Sequence, residues 1–168
     1  GVTTEYATWA EGLAAANANE GSTIKLMRNV SDVNTLQTIT KSVTIDLNGK
    51  TISGTGATQK ISSTTYYTLF YCGTAGKTIT IKDSKTGGKI KAIRDLNARL
   101  YTFVSYNGNH IVLQSGTVES ENTGIYNSSS KKSVGTCPIY VKTKSTFTQD
   151  GGVVSSIAGR NAYGVIGE

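Results

Sequence analysis

The sequence predicts an all-β fold, a parallel β-helix of about three to four coils closed at one end by a single α-helix. Three observations predict it. The first is composition: 168 residues with 37% hydrophobic and only 17% charged side chains, 19 glycines and one proline. Polarity therefore comes mainly from Ser, Thr, Asn and Gly, a mix that suits a turn-rich β domain and excludes a helical bundle or a Pro-rich stalk. The second is a repeated phrase of strand, polar turn, strand, Gly, strand. The third is one Ala-rich segment ahead of all the strands.

The Ala-rich segment is "EYATWAEGLAAANAN", residues 5–19. Tyr6, Trp9, Leu13 and Ala16 recur at helical spacing and predict one apolar face. "TWAE" has the form of a capping box, with Thr4 as an alternative start, and Gly21 is the expected C′ residue. An open solenoid end exposes core and strand edges, so this helix is expected to cover the first coil with Trp9 and Leu13.

Strands follow at "TIKLM" (23–27), "TLQTIT" (35–40), "VTIDL" (43–47) and "KTIS" (50–53). The repeat is then visible from Tyr67, from Tyr101 and from Cys137. Its first anchors are Leu69, Phe103 and Ile139, spaced 34 and 36 residues; its second are Ile79, Ile111 and Phe147, spaced 32 and 36. Its third are Ile90, Val118 and Val153 or Val154. "SVTIDLNGKTISG" (42–54) supplies Val43, Ile45 and Ile52 for an earlier turn. Alone, its Asn-Gly would signal a hairpin, and a sandwich of hairpins is the alternative fold. Repeated anchors instead make it a corner between two faces of one coil. "NAYGVIGE" (161–168) reads as the start of another coil. The chain is expected to be a single domain, residues 1–168, and a piece of a longer multidomain protein.

"WAEGLAAANANEGSTIKLMRNV" with "ITKSVTIDLNGKTISG", then "HIVLQSGTVES" and "FTQDGGVVSS", resembles the pectin lyase-like, right-handed β-helix modules of large bacterial cell-surface, adhesin-like proteins. The resemblance spans nearly the whole chain and implies a right-handed coil and an extracellular place, on a bacterial surface or secreted. It does not settle function, because this superfold hosts lyases, hydrolases, tailspikes and adhesins.

The residues give little support to an enzyme. A lyase needs clustered carboxylates for Ca²⁺, whereas Asp32, Asp46, Asp83, Asp95 and Asp150 contain no adjacent or alternate pair. Asp46, Asp83 and Asp150 each follow a second strand, where Asp side chains satisfy turn amides; a stacked acidic ladder is the alternative. The paired carboxylates of a glycosidase and the polygalacturonase phrases of the superfold are missing. His110, the lone histidine, is expected at a strand entrance. Cys72 and Cys137 have no metal spacing and lie about two coils apart, past comfortable disulfide reach at ~4.8 Å per coil. They are expected to be free packing residues, with a disulfide between them the alternative. No catalytic residue, metal or cofactor is assigned.

The net charge of +6 is expected to form a lysine fence along β edges, or a surface that attracts anionic polymers. No nucleic-acid motif is present, and no apolar run is long enough for membrane insertion. Nine tyrosines stand beside three Phe and one Trp. Alternation from Leu69, Phe103 and Ile139 places Phe70, Val104 and Tyr140 outward, beside Cys72, Tyr106 and Lys142. Phe70, Tyr106, Tyr140 and Lys142, with Tyr126 from the 120–136 insert, are the candidate ligand-binding residues for a glycan or host surface protein. Equally, the inserts at 54–66, 94–100 and 120–136 could fold over this face. The expected function is non-catalytic binding or adhesion, or presentation of neighbouring domains of the same parent chain. A carbohydrate-active fragment and a plain structural stalk are the alternatives.

Overall fold

The computed structural model describes residues 4–124, 135–158 and 161–168. One short helix, α1 (Trp9–Ala18), precedes β1 (Ser22–Lys25), β2 (Gln37–Thr38), β3 (Val43–Asp46), β4 (Thr51–Gly54) and β5 (Ala57–Ile61). Then follow β6 (Thr64–Cys72), β7 (Thr78–Lys82), β8 (Lys89–Arg94), β9 (Arg99–Ser105), β10 (His110–Leu113) and β11 (Thr117–Asn122). The chain closes with β12 (Gly135–Val141), β13 (Thr146–Gln149), β14 (Val153–Ala158), β15 (Asn161–Ala162) and β16 (Val165–Gly167).

The protein is mostly β, and its strands form three sheets. The first runs β1-β3-β7-β10-β13, the second β14-β11-β8-β4, and the third β15-β12-β9-β6-β2, with β16 also on β12. Strand pairing is parallel throughout except for β5, which folds back antiparallel on β6. From β6 onward the chain visits the third, first and second sheets in rotation. Consecutive visits to one sheet lie side by side, so each parallel pair is joined by a long connection, as parallel pairing requires.

The register matches the repeat anchors on two sheets. Ile111 pairs with Ile79 and with Phe147, and Val118 pairs with Ile90 and with Val154. Val43, Ile45 and Ile52 pair with Ile79, Ile81 and Ile90. "DLNGK" accordingly joins two sheets and is not a hairpin turn. Aliphatic side chains from all three sheets meet in one buried cluster, the non-directional drive that holds the layers together.

The third sheet departs from the expectation by one residue. Phe70, not Leu69, pairs with Phe103 and, through it, aligns with Ile139. Leu69, Thr102 and Pro138 occupy equivalent positions between the paired rows. Strict alternation breaks there, because Leu69 and Phe70 are both fully buried in the main cluster.

The helix is shorter than expected. Its capping box is formed: the Glu11 amide donates to Thr8 Oγ1 at 3.2 Å, and the Thr8 amide donates to Glu11 Oε2 at 2.9 Å. Starting at Trp9, it leaves Tyr6 outside and 48% exposed. Asn19 is the C-cap, so Gly21 (φ 74°) sits in the following turn and is not C′. Leu13 and Ala16 enter the main cluster and Trp9 packs against it. The indole N–H donates to Gln37 Oε1 at 2.8 Å, and its ring meets Phe70 edge-on at 6.0 Å. Side chains also finish backbone groups at this end. Asn17 donates to the Thr38 carbonyl at 2.8 Å and accepts from the Thr40 amide at 2.9 Å, while Glu20 accepts from the Ser42 amide at 2.9 Å.

Candidate functional site

The corners account for two of the aspartates and several amide side chains. Asp46 Oδ1 accepts from the Asn48 and Ser84 amides, each at 3.0 Å. Asp83 accepts from the Gly49 amide at 2.6 Å and the Gly88 amide at 2.7 Å. Burial opposes ionisation of Asp46, but the Ser84 and Asn48 bonds with Lys82 nearby hold its carboxyl below the usual carboxylate range. These two aspartates satisfy turn amides, the first of the two readings of their spacing. A shallow trough at the same corner is lined by Asp83, Ser84, Lys85, Gly88, Ser115 and Gly116; both Asp83 oxygens already hold backbone. Asn109 repeats the device elsewhere, donating to the Cys72 carbonyl at 2.8 Å and accepting from the Lys77 amide at 2.7 Å.

The histidine and both cysteines are also engaged or sealed. His110 opens β10, as expected, and its Nε2 lies 2.8 Å from Thr148 Oγ1. Cys72 and Cys137 are free and fully buried. Burial pushes each thiol up to about 12, so neither offers a thiolate near neutral pH. Among the described residues no group of three or more His, Cys, Asp and Glu is placed to hold a metal ion.

The candidate binding residues do not form an open platform. Phe70 faces inward, because it stacks on Phe103 at 4.7 Å with planes 13° apart. Cys72, two residues on, joins it in the main cluster. Tyr140 and Val104 do lie on the outer side of the third sheet, yet they are buried in a second cluster with Tyr66, Tyr101, Tyr106 and Cys137. Tyr66 belongs to the β5–β6 hairpin, so the insert at 54–66 folds over this face; Ile61 and Ile166 pack on the same cluster. The Tyr66 ring sits 5.5 Å from that of Tyr140 and 5.8 Å from that of Tyr101. Burial raises the phenol pKa of both Tyr106 and Tyr140, and hydrogen bonding to Tyr66 adds to it. Lys142 is half-exposed and pairs with Glu168 at 2.8 Å. That contact raises the Lys142 ammonium and lowers the Glu168 carboxyl. Tyr126 lies outside the described residues.

The outer face of the second sheet is closed by ion pairs. Lys89 reaches Glu119 at 3.0 Å and Lys91 reaches it at 3.1 Å; Lys91 also pairs with Glu121. The outer face of the first sheet is different, and the sequence reading passed it over. Thr23, Thr44, Thr80, Val112 and Thr148 align across its five strands. Thr78, His110 and Thr146 form a second row beside them. The T-x-T phrases at 78–80 and 146–148 were the signal for it.

Comparison with family models, curated proteins and solved structures finds no match.

Proposed function

We propose that the chain is a right-handed parallel β-helix module from the extracellular part of a bacterial surface protein. It acts as a non-catalytic binding or adhesion unit, for a glycan or host surface protein, and presents neighbouring domains of its parent chain. The observation that carries this reading is the rotation of the chain through three parallel sheets in constant register. A stack of that kind displays side chains in straight rows on rigid faces, and rigid rows lower the ordering cost of binding. Asp46, Asp83, Glu119, both thiols and the imidazole are engaged in corners, ion pairs, core and cross-strand contacts, while Asp32, Asp95 and Asp150 are exposed and set apart in sequence. The bacterial and extracellular assignment rests on the sequence resemblance described above.

The test is a screen of the folded protein against arrayed glycans and host surface proteins. A saturable, specific hit supports the reading. Retention of no partner by folded protein removes the binding role.

A further inference from the structure

The outer face of the first sheet is a regular surface partly open to solvent, with Thr23 and Thr148 exposed and Thr44, Thr80 and Val112 half-buried, and its chemistry names a ligand. Its centre is neutral. In the longer row, Thr23, Thr44 and Thr80 present hydroxyl and methyl groups, Val112 follows, and Thr148 holds its hydroxyl 2.8 Å from Nε2 of His110, which stands between Thr78 and Thr146 on the same face. Ser42 lies beside Thr78 in the shorter row, where Thr78 and Thr146 are exposed. Strand spacing sets about 4.8 Å between neighbours along a row, and two residues of strand set about 6.6 Å between rows. β-propensity alone accounts for threonine in a strand; it does not account for the same column recurring from strand to strand on one sheet.

The margins are cationic. On one side Lys41 and Lys77 share the single carboxylate of Glu20, at 4.0 and 3.0 Å. On the other, Lys25 and Lys82 pair in register with Asp46. Asp46 is buried and turned to the corner amides. Asp150, exposed beyond β13, is the acid at the far end. Lys89 and Lys91 on the second sheet and Lys142 beside the third are paired with Glu119, Glu121 and Glu168, whereas Lys60 on β5 is exposed. The chain as a whole carries +6.

We infer that this face binds a linear polyanionic glycan laid across the strands. Threonine hydroxyls meet sugar hydroxyls along the centre, and Lys25 and Lys82 on one margin and Lys41 and Lys77 on the other meet the anionic groups. The charge complementarity selects a polyanion over a neutral chain. The inference rests on the binding reading above and deepens it.

The experiment measures affinity for dextran sulfate, for hyaluronan and for neutral dextran at two salt concentrations. It uses the whole chain, the Lys25→Glu/Lys82→Glu variant, the Thr80→Glu/Thr148→Glu variant, and Lys60→Glu as an exposed charge control on β5. Circular dichroism verifies that each is folded. Expected are binding to at least one polyanion, weakening with salt, and a loss of about five- to tenfold in each double variant, with Lys60→Glu near the parent. Dextran sulfate against hyaluronan tells sulfate from carboxylate recognition. Equal losses in Lys60→Glu, equal binding to neutral dextran, or no binding to either polyanion would overturn the inference. In each case a specific hit elsewhere in the partner screen keeps the binding reading, and an empty screen ends both.

Discussion

The phenol oxygens of Tyr66 and Tyr106 lie 2.9 Å apart although the residues are 40 positions apart in sequence. The pair ties the β5–β6 hairpin to the outer side of the third sheet, inside a cluster closed to water. Removing the Tyr66 hydroxyl takes this partner from the buried Tyr106 oxygen, which costs about 1–3 kcal/mol, whereas Tyr66 keeps its bond to Tyr140 when the Tyr106 hydroxyl is removed. Tyr66→Phe is expected to lower stability by that order and Tyr106→Phe by less. The double variant should lose less than the sum of the two. Urea unfolding of the four proteins measures the coupling, and strict additivity would show that the two oxygens do not interact.

Phe103 anchors the main core through its stack on Phe70, which in turn holds Trp9. Phe103→Ala should cost about 3–5 kcal/mol. Trp9 is the only tryptophan, so native fluorescence reports the same change as a red shift. An unchanged spectrum with lowered stability would show that the helix packs independently of the stack.

The pH response should reside partly in Glu119. Burial opposes its ionisation, but Lys89 and Lys91 outweigh that and hold its carboxyl below the usual range. A depressed folded-state pKa gives stability that is full above the unfolded value of about 4.3 and falls as pH drops through the folded one. Acid titration of the melting temperature should therefore fall below about pH 4.3. Glu119→Gln should flatten that slope while lowering stability at neutral pH, where Lys89 and Lys91 lose a partner. A parallel acid slope in the variant would place the response elsewhere.

The thiols offer a direct measure of closure. With both pKa values pushed up to about 12 by burial, iodoacetamide at pH 8 should leave Cys72 and Cys137 unlabelled in the folded protein and label both in urea. Mass spectrometry reads the difference. Rapid native labelling of Cys137 would mean that the tyrosine cluster opens.

Gly54 tests the tightness of one corner. A Cβ there would fall 2.1 Å from the Val33 carbonyl oxygen, so Gly54→Ala must move backbone. It is expected to cost several kcal/mol, in the range of strong overpacking. Thermal melts compared with Gly76→Ala, where a Cβ meets nothing within 4 Å but φ is 67°, separate contact from conformational strain.

Much of this architecture was legible in the residues. Ile79, Ile111 and Phe147 were set in line by spacing alone, because a β row keeps period and hydrophobicity together. The first anchor slipped, since "TLFYC" is apolar at every position but the threonine and alternation carries no phase there. Alternation consequently points Phe70 outward, whereas the fold turns it inward. The burial of Tyr106 and Tyr140 depends on where residues 57–66 land. That is a tertiary event, with no periodic trace in the segment itself. The threonine rows were readable as T-x-T, but only pairing shows that separate phrases share one column.

The polarity of the stack has a mechanical side. The first strands lie at one edge of the sheets, finished by Asn17 and Glu20, and β13, β14 and β16 lie at the other. A load applied between the two ends pulls along the hydrogen-bond direction and loads the rows in turn, so they part by unzipping and not by collective shear. With repeats of 32 to 36 residues, each release should lengthen the chain by about 110–120 Å. Under such a load the sheets would part in a staircase of small steps, each dissipating work before the next row yields.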